Sequence, residues 1–563
     1  METNKILGID LGTTYSCTAY VDDFGKTETL KNLDGDLTTP SVVYFEDTEN
    51  QKVGIEAKGM AVIEPENTVS FIKRDMGKDV RRTIHGIEYS PQEISAKILM
   101  KIVGDANATL REKGVLSKNE EIKKVVITCP AYFGLAEKEA TRTAGQLAGL
   151  EVLDIINEPT AAAINYGVIN ANEKKNVLIY DLGGGTFDVT LISVDGSNIK
   201  VVVTGGDPEL GGKDWDDRLV GYFVEKWQQE METTEDISDD LETMSTMLEK
   251  AEETKKKLTK SESVKTMIIH QGEKMKLDIT RAEYDELTKD LLDRTISLTN
   301  DCLEKAEQKG YGLDAIDEIL LVGGSSRMPQ VQECVENVYN KPTKLFDPDE
   351  AVAKGAAIYA QHLDTLNVTI EAIAKNTNKT EEEVKKELAS GTALSDMAEE
   401  ANIAMDMDDS SSRRMSMMTI SNVSSRTYGV RVYNHRFKKD VINNFIYQND
   451  ELPKEETKRF ATLDDNMSGI DIEIYESLGN EEIIEDIETG NLITTIRMDF
   501  VESVPKGTKI LMTIRLENSG LIYVDAEEQK YHSKLNATYQ TKNGLDEDEL
   551  ASALQRSNNS TVE

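Results

Sequence analysis

Cysteine is scarce in this chain of 563 residues: Cys17, Cys129, Cys302 and Cys334 are scattered, with no CxxC pair and no metal-ligand spacing. That argues against a disulfide framework or a zinc knuckle and fits inert thiols in a reducing, cytoplasmic setting. Histidine is just as sparse, five residues with no HExxH pattern, so zinc hydrolysis is not expected either. No apolar run approaches the ~20 residues that span a bilayer, and Met1 to Lys5 runs into a strand without a signal peptide's basic, apolar and cleavage regions. Basic residues are outnumbered, 64 Lys and Arg against 103 Asp and Glu, for a net charge of −39. Such a surface repels nucleic acid and anionic lipid, so neither is an expected partner.

What the chain does have is one short pattern twice: an apolar strand that delivers an aspartate into a Gly/Thr turn. The first copy is Ile6-Leu7-Gly8-Ile9-Asp10-Leu11-Gly12-Thr13-Thr14 and the second Val177-Leu178-Ile179-Tyr180-Asp181-Leu182-Gly183-Gly184-Gly185-Thr186. Glycine lets backbone approach an anionic oxygen, successive N–H groups form an anion-holding concavity, and a carboxylate at a strand end suits a hydrated divalent cation. These are parts for a Mg-nucleotide. Asp10 and Asp181 lie 171 positions apart, so the pattern reads as one fold unit occurring twice with phosphates held between the copies. A third turn, Ile319 to Val322 followed by Gly323-Gly324-Ser325-Ser326-Arg327-Met328-Pro329, reads as strand, Gly-Gly turn and helix start, where a flat ring or phosphate can rest.

With these motifs the sequence resembles the ATPase superfamily shared by actin, sugar kinases and the 70-kDa heat-shock chaperones. Pro130-Ala131-Tyr132-Phe133, Ile155-Ile156-Asn157-Glu158-Pro159-Thr160, Asp181 to Asp188, Leu210-Gly211-Gly212 and Asp347-Pro348-Asp349-Glu350 resemble the DnaK-type branch. The resemblance covers Met1 to about Leu363. It implies a two-lobed actin-like α/β domain with ATP or ADP in the cleft, ATP hydrolysis, and a role in protein folding and the stress response. It places Lys73 at the γ-phosphate, Glu158 beside the metal and attacking water, Asp10 and Asp181 on Mg²⁺ through water, and Asp188 at a monovalent cation such as K⁺. Gly12, Thr13, Thr14, Gly184, Gly185 and Thr186 would serve the phosphates. For the adenosine the resemblance implies Glu252, Lys255, Lys256 and Thr259 facing Gly323, Gly324, Ser325, Arg327 and Asp349. The first four fall at i, i+3, i+4 and i+7, one stripe of a helix, a spacing that an exposed charged helix shares. The family usually has an arginine where Lys256 stands.

The expected layout is an ATPase domain over 1–363, a helical insert and linker over 364–414, an all-β sandwich over 415–537 and a polar, frayed tail over 538–563. Glu230 to Lys257 reads as a solvated helical hairpin. In the insert, Thr380 is a candidate helix cap and Gly391 a candidate stop. Asp408 to Arg414 is linker text. Period-two alternation in Ile470 to Tyr475, Ile510 to Leu516 and Leu521 to Val524 marks the strands of the sandwich. Arg426 to Val430 and Lys458 to Asn466 loosely resemble the family's peptide-binding domain, which implies extended peptide segments as ligands.

Four departures from the family fall on coupling. Asp154 replaces an arginine used towards J-domain co-chaperones, which puts that partner, though not a nucleotide exchange factor, in question. Lys138 replaces an arginine proposed to relay nucleotide state. The short docking linker gives way to the insert, and the roughly 25 residues after Ala537 are too few for a lid of several helices. A nucleotide-gated scaffold holding one partner is the alternative reading; a small-molecule kinase is disfavoured.

Overall fold

The computed structural model describes residues 5–169, 174–195, 198–389, 394–401, 418–518, 520–539 and 547–563. The two aspartate patterns sit at equivalent places in two related sheets. Strand Leu7–Asp10 runs parallel to Lys124–Cys129 and antiparallel to Tyr15–Val21; strand Lys174–Leu182 runs parallel to Glu318–Val322 and antiparallel to Phe187–Asp195. The register repeats too: Asp10 pairs with Cys17, and Asp181 with Asp188. Val177 to Tyr180 are fully buried, as a strand covered by helices on both faces requires. Helix Ala351–Thr377 packs on helix Glu158–Ile169 and on the first lobe's central strand, joining the lobes behind the cleft. The acidic run forms the turn between helices Gly212–Glu230 and Leu241–Leu258.

The Ala351–Thr377 helix passes straight through the expected boundary at 363 and ends at left-handed Asn378. Thr380 then caps Glu381–Ala389, its Oγ1 accepting from the Glu383 amide at 3.3 Å. Ile370, Ile373, Val384, Met397 and Ala398 close a small core, so the insert is a helical knob on the end of the long helix. Gly391 and the 408–414 linker lie outside the described residues.

A five-stranded and a four-stranded antiparallel sheet form the sandwich. Its inward residues, among them Ile472, Ile474, Ile514 and Val524, alternate with exposed ones. The unit leans on the rest of the chain. Strand Thr419–Ser421, expected within the sandwich, instead extends the second lobe's sheet beside Asn198–Asp207. Asn449 Oδ1 accepts from the Thr204 amide at 2.8 Å, and the Asn449 carbonyl from Lys309 Nζ at 2.6 Å.

The tail corrects the expectation of frayed text. Residues 547–558 form a helix whose Leu550, Ala553 and Leu554, at i, i+3 and i+4, pack against Ala96, Leu147 and Ala148. Arg556 pairs with Glu93 at 2.6 Å, and Thr561–Val562 adds a parallel strand to Asn50–Val53.

Candidate active site

One cavity of about 720 Å³ opens between the lobes. Each lobe contributes its aspartate turn: Asp10, Gly12, Thr13 and Thr14 from one, Asp181, Gly184 and Thr186 from the other. The turns nearly touch. A Cβ on Gly184 would lie 2.0 Å from Thr14 Oγ1, and one on Gly185 would lie 2.3 Å from Thr13 Cγ2, so the two loops close together only without side chains there.

Behind the turns, Lys73 and Glu158 form a buried ion pair, one from each side of the first lobe's sheet. Asp10 Oδ1 accepts from Thr128 Oγ1 at 3.2 Å. Burial and the nearby Glu158 push the Asp10 carboxyl up to about 7 despite Lys73. Burial, Glu158 and Asp10 likewise hold Asp181 well above the usual carboxylate range. Burial works against the Lys73 charge, but Glu158 and Asp10 outweigh it and hold the ammonium above its ordinary value. Several buried carboxyls thus surround one lysine. Such a donor set is short of positive charge, and a divalent cation would supply it. Among the described residues no three His, Cys, Asp or Glu side chains gather closely enough to hold a metal ion directly.

The adenosine candidates line the same cavity. Glu252, Lys255, Lys256 and Thr259 lie on helix Leu241–Leu258 and its C-cap; Gly323, Gly324, Ser325 and Arg327 lie on the third turn, and Asp349 beyond it. Arg327 and Asp349 pair in bidentate fashion at 2.5 and 2.6 Å. Lys255 Nζ donates to Asp216 and to the Gly212 carbonyl, both at 2.7 Å, which anchors it below the helix. Gly323 has φ 81° and would press a Cβ to 2.4 Å from Asp181 Oδ1, so the third turn buttresses the second.

Two expected residues stand outside the cavity. The Gly185 carbonyl turns away and accepts from Arg74, at 3.0 Å from Nε and 2.7 Å from Nη2. Asp188, one strand over from Asp181, accepts the Ala131 amide at 2.8 Å. Sequence reasoning missed Tyr15, Lys58 and Lys213, which line the cavity, and Arg74, which braces it. Tyr15 Oη accepts from Lys58 and Lys256 at 2.9 Å each, and Glu252 pairs with both lysines. Burial opposes the Glu252 charge, yet the two lysines push its carboxyl down to about 2. Tyr15 directly follows the first Thr-Thr turn, a signal that was available; Lys58 sits in a helix with no motif around it.

Asp154 also differs from expectation. Its carboxylate accepts from Tyr359 Oη at 2.9 Å and the Ile155 amide at 2.8 Å, and it pairs with Arg142 at 3.5 Å. The reversed charge therefore has partners of its own inside the chain.

A family model described as "Hsp70 protein" matches residues 6–85, 79–377 and 398–563. The chain is 34% identical over 555 residues to proteins named "Chaperone protein DnaK" from Thermotoga petrophila and Thermotoga maritima, covering 97% of this chain and 82% of each relative. Neither comparison favours a small-molecule kinase or a dedicated-partner scaffold.

Proposed function

Since the chain belongs to the Hsp70 family and is a molecular chaperone of that type, we propose that this cleft binds and hydrolyses Mg-ATP while the sandwich over 415–537 holds extended peptide. The observation that carries this reading is the convergence of three glycine turns, two strand-end aspartates and the Lys73–Glu158 pair on one cavity. ATP and ADP are the family's nucleotides, and the residues present fit the accompanying Mg²⁺.

Phosphoryl transfer asks for positioning and charge neutralisation more than covalent work. Asp10 and Asp181 would hold hydrated Mg²⁺, which would supply positive charge to balance the phosphates. Backbone and hydroxyl donors of Gly12, Thr13, Thr14, Gly184 and Thr186 would hold the phosphate oxygens. Lys73 Nζ would meet the charge that moves as the γ-phosphoryl leaves, while Glu158 fixes the ammonium and orients the attacking water. Lys255, Lys256 and Thr259 would border the nucleoside on one side and Gly324, Ser325 and Arg327 on the other. Asp188, turned to the Ala131 amide, remains the residue we assign to a monovalent cation. The test is calorimetry of Mg-ATP on the full chain. Saturable binding lost on chelation is the expected result, and absence of binding overturns the reading.

Two further outcomes follow from the geometry. Gly323→Ala should weaken Mg-ATP binding about tenfold, because the left-handed turn strains and its Cβ displaces Asp181; a titration of both proteins checks it. Asp154→Arg should lower stability by about 1–2 kcal/mol by setting a half-buried cation against Arg142 and removing the acceptor for Tyr359, and should do so with or without a J-domain protein. Thermal unfolding measures it, with Asp154→Asn, which keeps an acceptor for Tyr359, losing less.

A further inference from the structure

The contact between the sandwich and the first lobe contains a group that neither nucleotide nor peptide binding uses. Helix Leu135–Leu147 begins at Gly134, which has no side chain to cap the free amides of the first turn. Glu476, at the end of strand Met467–Ser477 in the sandwich, takes that place: its carboxylate accepts the Leu135 amide. Gly134 leaves room for it, since a Cβ there would lie 2.6 Å from Glu476 Oε2. The other unit thus caps the helix.

The surroundings are short of positive charge. Glu476 is 4% exposed, and it meets Glu137 and Lys138 from the helix, Arg426 from the segment leading into the sandwich, and the Tyr428 phenol on strand Thr427–Asn434. Arg426 lies 3.6 Å from Glu137, and Oε2 of both glutamates is buried without a hydrogen-bond partner. Arg426 pairs with Glu137 and acts on Glu476 only through its charge, with Lys138 a weaker influence. The segment just before the helix links the sandwich to the strand next to Asp181: the Ala131 amide donates to Asp188, and the Phe133 carbonyl accepts from Ser425 Oγ at 3.0 Å.

We propose that docking of the sandwich on the ATPase lobes is gated by one proton, carried on Glu476 when its carboxyl caps the Leu135–Leu147 helix and released when the two units part. Burial and Glu137 push Glu476 up to about 7 in the docked seam despite Arg426 and the Leu135 amide. In water the same group ionises in the ordinary glutamate range. The docked state therefore binds the proton more tightly, so docking is strongest at low pH, weakens as pH rises from that range to about 7, and is level above. Glu476 acts here as a positioning residue, setting the helix that follows the Asp188 contact.

The test is hydrogen exchange of the peptide containing the Leu135 amide, in the full chain without nucleotide, so that its outcome is independent of the ATPase reading. After correction for intrinsic rates, protection should fall about tenfold between pH 6 and pH 8. Glu476→Gln, a neutral amide that still offers an acceptor, should remove that dependence. Glu137→Gln should move the fall to lower pH by taking away the facing carboxylate. Protection that is constant with pH in the unaltered protein, or that falls equally in Glu476→Gln, overturns the proposal, as does a fall that Glu137→Gln leaves in place.

Discussion

Asp181→Asn, and separately Asp10→Asn, should slow single-turnover ATP hydrolysis by about 10²-fold or more, the scale seen when one preorganised electrostatic group is lost. Each aspartate would be half of the carboxylate pair that steadies hydrated Mg²⁺, and an amide carries no charge to balance the ion. The same substitution should raise the stability of the nucleotide-free protein. Asp10 and Asp181 are buried beside Glu158 with Lys73 as the near cation; burial and Glu158 hold both carboxyls up, and Asp10 adds to the push on Asp181. Removing one carboxylate relieves that repulsion, worth on the order of 1–2 kcal/mol. Slower turnover with a higher melting midpoint is the signature of a site built for a ligand's charge. Unchanged single-turnover hydrolysis in both variants would remove the two aspartates from the site.

Lys73→Ala should have the opposite effect on stability and a still larger one on turnover. Lys73 Nζ meets Glu158 in a buried pair, and truncation leaves that carboxylate unpaired, at a cost of about 3–5 kcal/mol. Hydrolysis should fall by about 10³-fold, because a point charge aimed at the γ-phosphate matters most as charge moves in the transition state. Mg-ATP affinity should stay within about tenfold, since the glycine turns and the adenosine side keep their contacts. Calorimetry and turnover measured on the same preparation separate these effects. If affinity and turnover collapse together, Lys73 is a residue of folding or ground-state binding.

The nucleotide cleft was readable from the sequence because its parts are local. A strand-end aspartate and a glycine turn are neighbours in the chain, and the second copy repeats the order of apolar strand, Asp-Leu-Gly and Thr-bearing turn, so Asp10 and Asp181 could be paired before any contact was known. Lys58 and Arg74 were not readable in this way. Each acquires its place through a partner far along the chain, Glu252 for one and Asp214 for the other, and an isolated lysine or arginine carries no local mark of that. The tail was misread for a different reason. Its average composition is polar, yet Leu550, Ala553 and Leu554 make a stripe that helical spacing would have exposed. Asp154 shows the limit of reading a charge by family comparison, since Tyr359 and Arg142 became its partners only once the 135–147 and 351–377 helices were packed beside it.

The most direct test of ATP hydrolysis coupled to peptide holding is steady-state turnover by the full chain, with and without magnesium, across a panel of extended apolar peptides. Magnesium-dependent hydrolysis that rises several-fold with peptide, and that Asp181→Asn abolishes with peptide present, is the expected result. Hydrolysis that no peptide stimulates, or that persists at the same rate in Asp181→Asn, would contradict it.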